Sequence, residues 1–480
     1  MKTSIKNSSG TADRRVSRAA SLLALVAALA FAGCVRVPDK TVETSVLKPG
    51  VPQPLDVALT PHTGSTALDQ RIRRSQEQVR TATHPQAAIE QLGWLFIAKA
   101  RESFDPGFCT LAEQCAIALD SRQPASAGAL LLRGHALHSL HRFADAEPLA
   151  RRLVATRQLS FDYALLGDIL ADLGRVDEAA GAYQMMMDLK PDPQGYARVA
   201  HIRWIKGDLE GAVEAMRVAA AGAPPYDTAS AAWMKAQLAR YLWQSGDIAE
   251  ANDTLRETLD GQTNYAPALL LRGRMLLSEG RIEQAIPSLR QAARMNPLPE
   301  YHWALGEALR AALREDEARA VETQIVSRGP GTDPRTCSLY LATRGTNREM
   351  AVRLARLELT QRADVFTHDA LAWALASTGC LEEAQSHLQS ALAEGTRDAR
   401  LFFHAAVITA RAGKLNDARK WLTRAATWKH FLLPSEKSEL QAVEKAILPA
   451  ESARFVPPDT GVHELISAVA HSASTAGNGN

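Results

Sequence analysis

Three side chains able to ligate a metal recur at fixed spacing: His135, Asp168 and His201 lie 33 residues apart, with His138 and Asp172 close by. Imidazole and carboxylate together are a ligand set for zinc or copper. A second set is aromatic and cationic: Trp204, Arg240, Trp243, Arg274, Trp303, Glu307, Arg310, Tyr340 and Trp373 fall in the middle and later parts of the chain. Arg and Trp are the residue types enriched in binding hot spots. No metalloprotease helix, nucleophile elbow, glycine-rich phosphate loop or paired Cys-x-x-Cys occurs. Recognition is therefore expected, not catalysis.

The elements that position these residues repeat. The stretch Phe161–Pro191 reads as two amphipathic helices, Tyr163–Leu173 and Val176–Leu189, joined at Gly174 and closed by Pro191. Tyr163, Leu166, Gly167 and Leu170 share one face of the first helix, and Ala179, Tyr183 and Met186 share one face of the second. Gly167 marks a close approach between the two. The small residue of the second helix recurs as Ala112, Ala146, Ala179, Ala212, Ala251, Ala285, Ala318, Ala351, Ala384 and Ala418. Eight spacings of 33 or 34 and a single one of 39 define ten units over residues 87–433. A turn glycine five residues earlier recurs as Gly107, Gly174, Gly207, Gly246, Gly280, Gly379 and Gly413, with His141, Leu313 and Thr346 in its place elsewhere.

This pattern resembles the tetratricopeptide repeat. The resemblance implies an all-α solenoid, a right-handed superhelix of about ten helix-turn-helix units, whose first helices line a concave groove. On that frame His135, Asp168, His201, Arg240, Arg274, Glu307, Tyr340 and Trp373 occupy one repeat position. Trp204, Trp243 and Arg310 occupy another, and Trp303 a third. A protein or peptide partner in this groove is expected, centred on Trp204, Arg240, Trp243 and Arg274. A polysaccharide stacking on the indoles is the alternative. Neighbouring first helices lie about 8–10 Å apart, too far for three successive ligands to close on one ion. A hydrogen-bonded His–Asp patch is therefore expected in place of a metal, and no cofactor.

Charge excludes one partner class. Lys and Arg number 55 against 53 Asp and Glu, a net +2, and the first 33 residues alone carry +4. The remainder is slightly acidic and does not ask for nucleic acid.

Residues 1–33 read as an export signal: a basic segment to Arg18, then an apolar run from Ala19 to Ala32 too short to span a bilayer. Phe31-Ala32-Gly33-Cys34 resembles the lipobox of bacterial lipoproteins, which implies a lipid on Cys34. Phe31 stands where Leu is usual, and ordinary secretion with cleavage nearby is the other reading. Val35 after the cysteine, where Asp is linked to inner-membrane retention, leans toward an outer-membrane anchor facing the periplasm. Residues 34–66, with five prolines, read as a flexible tether, and Ala67–Arg80 as a capping helix. The block 67–327 is expected to end at a seam loop, 328–335, before a second block, 336–448, closed by a helix at Glu436–Ile447. The 39-residue spacing implies a longer loop around Ala220–Thr228, and 449–480 read as a disordered tail. Cys109, Cys115, Cys337 and Cys380 are expected as small buried hydrophobes, with a Cys109–Cys115 bridge possible only if Cys109 precedes its helix.

The functional expectation is a non-catalytic, periplasm-facing scaffold or adaptor lipoprotein for assembly of an envelope, secretion or surface structure. The alternative is an accessory lipoprotein of exopolysaccharide export, gripping glycan or the channel.

Overall fold

A computed structural model describes residues 53–224 and 227–447. The export signal, Cys34, most of the tether and the tail lie outside the described residues. Those described form twenty-three α-helices and no strand. The short α1 (Pro54–Ala58) and α2 (Ala67–Thr81) precede ten helix pairs. The pairs are α3 (Gln86–Ser103) with α4 (Gly107–Asp120), α5 (Ala127–Ser139) with α6 (Phe143–Thr156), and α7 (Ser160–Asp172) with α8 (Val176–Leu189). Then come α9 (Pro193–Ile205) with α10 (Leu209–Ala221), α11 (Thr228–Ser245) with α12 (Ile248–Gly261), and α13 (Ala266–Ser278) with α14 (Ile282–Met295). The last four are α15 (Pro299–Ala311) with α16 (Glu315–Thr332), α17 (Pro334–Arg344) with α18 (Arg348–Gln361), α19 (Val365–Ser377) with α20 (Leu381–Leu392), and α21 (Ala399–Arg411) with α22 (Leu415–Thr427). A 3-10 turn at Lys429–Phe431 leads to α23 (Pro434–Ile447).

The repeat is a packing rule made visible. All ten of the periodic alanines are fully buried, at 0% exposure. Each sits where a second helix crosses its partner, and a longer side chain would push the pair apart. Gly167 faces the Tyr183 ring so closely that a Cβ there would overlap it. Gly273 meets Leu289 in the same way. First helices start on aspartate caps: Asp192, Asp333, Asp364 and Asp398 each accept a backbone N–H of the first turn.

The turns within the pairs are left-handed. Gly174, Gly207, Gly246, Gly280, Gly379 and Gly413 have φ between 76° and 95°. Where the sequence substitutes glycine the geometry persists, since His141 (φ 57°) and Leu313 (φ 60°) take the same strained conformation. In the eighth pair Gly345 (φ 66°) supplies it one residue before Thr346.

Several sequence expectations are corrected. The stretch 328–335 is not a loop, because α16 runs through Gly329 and Pro330 to Thr332 and only Asp333 separates it from α17. Pro330 sits in the last turn, and Gly329 lets the helix approach Cys337, whose Cβ would lie 2.9 Å from an added methyl. The two expected blocks are thus one continuous stack. The 39-residue spacing is divided between the 222–227 connection and an 18-residue α11, where neighbouring first helices have 13. The C-terminal end of the expected tether is ordered. The Gln76 amide donates to the carbonyls of Ala58 (3.0 Å) and Thr60 (2.8 Å), and Arg80 to that of Leu59 (2.7 Å). Cys109, Cys115 and Cys337 are buried free thiols, but Cys380 is exposed at the start of α20. Cys109 lies inside α4 with Cys115, which sets the two sulfurs out of phase. No described helix is long and apolar enough to cross a membrane.

Candidate functional site

The concave wall is covered by the chain itself. Three connections of the C-terminal pairs, residues 362–364, 393–398 and 428–433, lie against the C-terminal ends of the first helices from α5 to α15. Arg362 donates to His141 Nδ1 (3.1 Å) and stands 3.6 Å from Asp172. The Thr396 hydroxyl donates to the Ile205 carbonyl (2.6 Å), and the Gln244 amide to that of Arg397 (2.5 Å). Arg274 donates to the Phe431 carbonyl (2.9 Å), and His430 to that of Trp243 (2.7 Å). The Ser435 amide and hydroxyl both donate to Glu307, at 3.0 and 2.6 Å.

These contacts decide where the sequence-selected residues stand. An open groove was expected, yet Trp204, Trp243, Trp303, Tyr340 and Trp373 are all buried. Trp204 stacks on Phe366 of α19 at 5.2 Å, and Trp243 packs on Phe431 at 4.3 Å. Trp303 donates to Glu307 (3.2 Å) and meets Tyr340 edge-on at 5.9 Å. Arg310 pairs with Glu322 on its own unit. Trp373 stacks on His404 at 4.2 Å and donates to Thr343 (3.0 Å). Of the nine groove residues, Trp204, Arg240, Arg274 and Trp303 face the cavity that remains. Trp243, Glu307, Arg310, Tyr340 and Trp373 serve packing and closure around it.

That cavity measures about 430 Å³, within the range of small-molecule pockets. Its wall includes side chains the sequence reading did not select, among them Phe366, Arg400 and Phe431. Asp364 and Asp398 were legible as helix caps, but nothing local says that α19 and α21 begin at the groove.

Most charges on the wall are matched. Burial alone would raise the Asp168 carboxyl, but the Arg198 charge and its two hydrogen bonds (2.7 Å each), with Tyr183 (2.8 Å), hold it down to about 2. Asp172 accepts from His138 across α5 and α7 at 3.0 Å, so the expected His–Asp pairing between first helices is present. Asp364 pairs with Arg335 (2.9 Å), Asp369 with His404 (2.8 Å), and Arg400 with Glu436 (2.6 Å). Burial lowers the pKa of His135 to about 3 and also lowers that of His201. Among the described residues no three ligating side chains converge on a metal position.

One cation is unmatched and a second is only weakly paired. Arg240 has no carboxylate within ion-pair distance among the described residues and lies 5.0 Å over the Trp204 ring. Arg274 has only Glu300, at 3.5 Å. Burial pushes its guanidinium pKa down, Glu300 opposes, and Arg400 and Arg240 push the same way as burial.

The tetratricopeptide-repeat family profile matches residues 236–286 and 270–332, which span α11 to α16. Residues 236–332 of this chain thus carry tetratricopeptide repeats. Solved structures similar to it include a tetratricopeptide repeat protein from Parabacteroides merdae, at 16% identity over 53% of this chain and 98% of that one, TM-score 0.31. Yeast Tom70 is 14% identical over 83% of this chain and 95% of its own, TM-score 0.32. A monomeric mutant of IFIT1 with Gppp-AAAA is 14% identical over 75% and 76%, TM-score 0.37. No curated protein matches the sequence. Such repeats support a scaffold for protein–protein interaction.

Proposed function

We propose that this chain is a non-catalytic adaptor held at the cell envelope by a lipid on Cys34, facing the periplasm from the outer membrane, and organising protein partners during assembly of an envelope, secretion or surface structure. The observation that carries the scaffold part is the unbroken stack of ten helix pairs, a surface long enough to hold several partner segments. The anchor rests on the sequence: an apolar run too short to span, ending at Gly33-Cys34. The indoles on which a glycan would stack are covered by the closing connections, so the protein-partner reading is kept. With the groove residues covered, this reading looks to the outer faces or to the cavity mouth, beside His138 and Asp172, for the partner surface.

Cell fractionation tests the anchor. The wild-type protein is expected to sediment with membranes in high salt, and Cys34→Ser to be recovered in the soluble periplasmic fraction. A Ser variant that still sediments would refute lipidation. Crosslinking in intact cells, with the wild-type protein as bait, is expected to capture envelope proteins. Recovery of none above the level of an unrelated lipoprotein would refute the adaptor role.

A further inference from the structure

We propose that the cavity under the C-terminal connections is a binding site for a small organic anion bearing a planar ring, a ligand class separate from the protein partners of the scaffold. The polar atoms left without a partner on the cavity wall are N–H donors, Trp204 Nε1 and Arg274 Nε, while Arg362 Nε has Glu358 at 3.2 Å. Trp204 is only 3% exposed, so its indole N–H has lost water as an acceptor and gained none from the protein. An anion is the ligand that satisfies several donors together, and its hydrogen bonds to guanidinium groups are about twice as strong as neutral ones.

Charge selects the same ligand. The wall carboxylates have partners of their own within the fold, whereas Arg240 has none among the described residues. Adjacent first helices, α11 and α13, thus bring Arg240 and Arg274 to the cavity wall near enough for each charge to act on the other, and Arg240 is the one left without a carboxylate. The ring preference comes from the neighbouring surface. Trp204 and Phe366 stack with their planes 19° apart, and the Arg240 guanidinium lies over the same indole. The Trp204 ring is covered, so a flat ligand would extend the stack on the half-buried Phe366 ring, which lines the cavity, while its anionic group reaches the guanidinium groups. A volume of about 430 Å³ admits a single ring with substituents and excludes a folded domain.

Titration calorimetry of the purified protein with benzoate, phenyl phosphate and benzylamine tests this. Saturable one-to-one binding of benzoate or phenyl phosphate is expected, with none of benzylamine. The better of the two anions identifies the headgroup as carboxylate or phosphate. Arg240→Gln is expected to weaken binding at least tenfold in a protein that still folds cooperatively, because Arg240 makes no ion pair and gives up only its contact with the Trp204 ring. Trp204→Phe keeps a ring, removes the donor, and is expected to weaken binding about threefold to tenfold. The proposal is overturned if neither anion binds, if benzylamine binds equally well, or if both variants bind like wild type. None of these results bears on the adaptor reading, which is decided by crosslinking.

Discussion

Gly207 and Gly280 occupy the same turn position, with φ of 80° and 76°. Replacing either with alanine places a Cβ in the left-handed region, at a local cost of about 1–2 kcal/mol. Their surroundings differ. Nothing lies within 4 Å of a Cβ at Gly280, whereas at Gly207 it would collide with the Gly395 carbonyl oxygen. The 393–398 connection must then withdraw, breaking the Thr396–Ile205 and Gln244–Arg397 hydrogen bonds. Two such bonds contribute about 1 kcal/mol each. The exposed pairs Lys206–Glu394 (2.6 Å) and Arg397–Glu210 (3.0 Å) add under about 1 kcal/mol. Gly207→Ala is therefore expected to cost about 2–3 kcal/mol more than Gly280→Ala. Hydrogen exchange followed by mass spectrometry reads this locally, as roughly 30- to 150-fold faster exchange across 393–402 in Gly207→Ala, at 1.4 kcal/mol per tenfold. Gly174→Ala is expected to do the same at 362–366, since its Cβ would collide with the Ala363 carbonyl. Equal destabilisation by the Gly207 and Gly280 variants, with unchanged exchange at 393–402, would refute the argument that the C-terminal connections clasp the groove.

Leu313 is 86% exposed at φ 60°, so Leu313→Gly is expected to stabilise by about 1 kcal/mol, read as a raised urea midpoint; a lowered midpoint would contradict the strain assignment. Burial lowers the His135 pKa from 6.5 to about 3, so between those values the unfolded chain binds the proton and the folded chain does not. Its contribution is fully present above about pH 6.5 and falls by about 1 kcal/mol per pH unit as pH drops toward 3. His135→Gln is expected to flatten the pH dependence of the urea midpoint between 6 and 4, and an unchanged slope would remove His135 as its source.

Much of the fold was legible because its rule is local. A helix pair is specified by apolar residues three and four apart, an alanine at the crossing and a left-handed turn, all within about 34 residues. Every one of the ten alanines marked a buried crossing for that reason. Position in the repeat also placed Trp204, Arg240, Arg274 and Trp303 on the inner wall. The expected loop at 328–335 failed because Gly and Pro are breakers only on average. Pro330 falls in the final turn of α16, and Gly329 is there so that the helix can pack closely on Cys337.

The sequence by itself determined the unit, the number of units and the side chains each offers to the inner face. Tertiary structure decided what those side chains meet. Curvature is the sum of small rotations between neighbours, so no single unit reveals that the 393–398 connection lies on Ile205 or that Phe431 lies on Trp243. Contacts separated by more than 150 residues carry no periodic signal. They turned an expected open groove into a partly enclosed cavity in which Trp204 keeps a donor without an acceptor and Arg240 has no carboxylate of its own among the described residues.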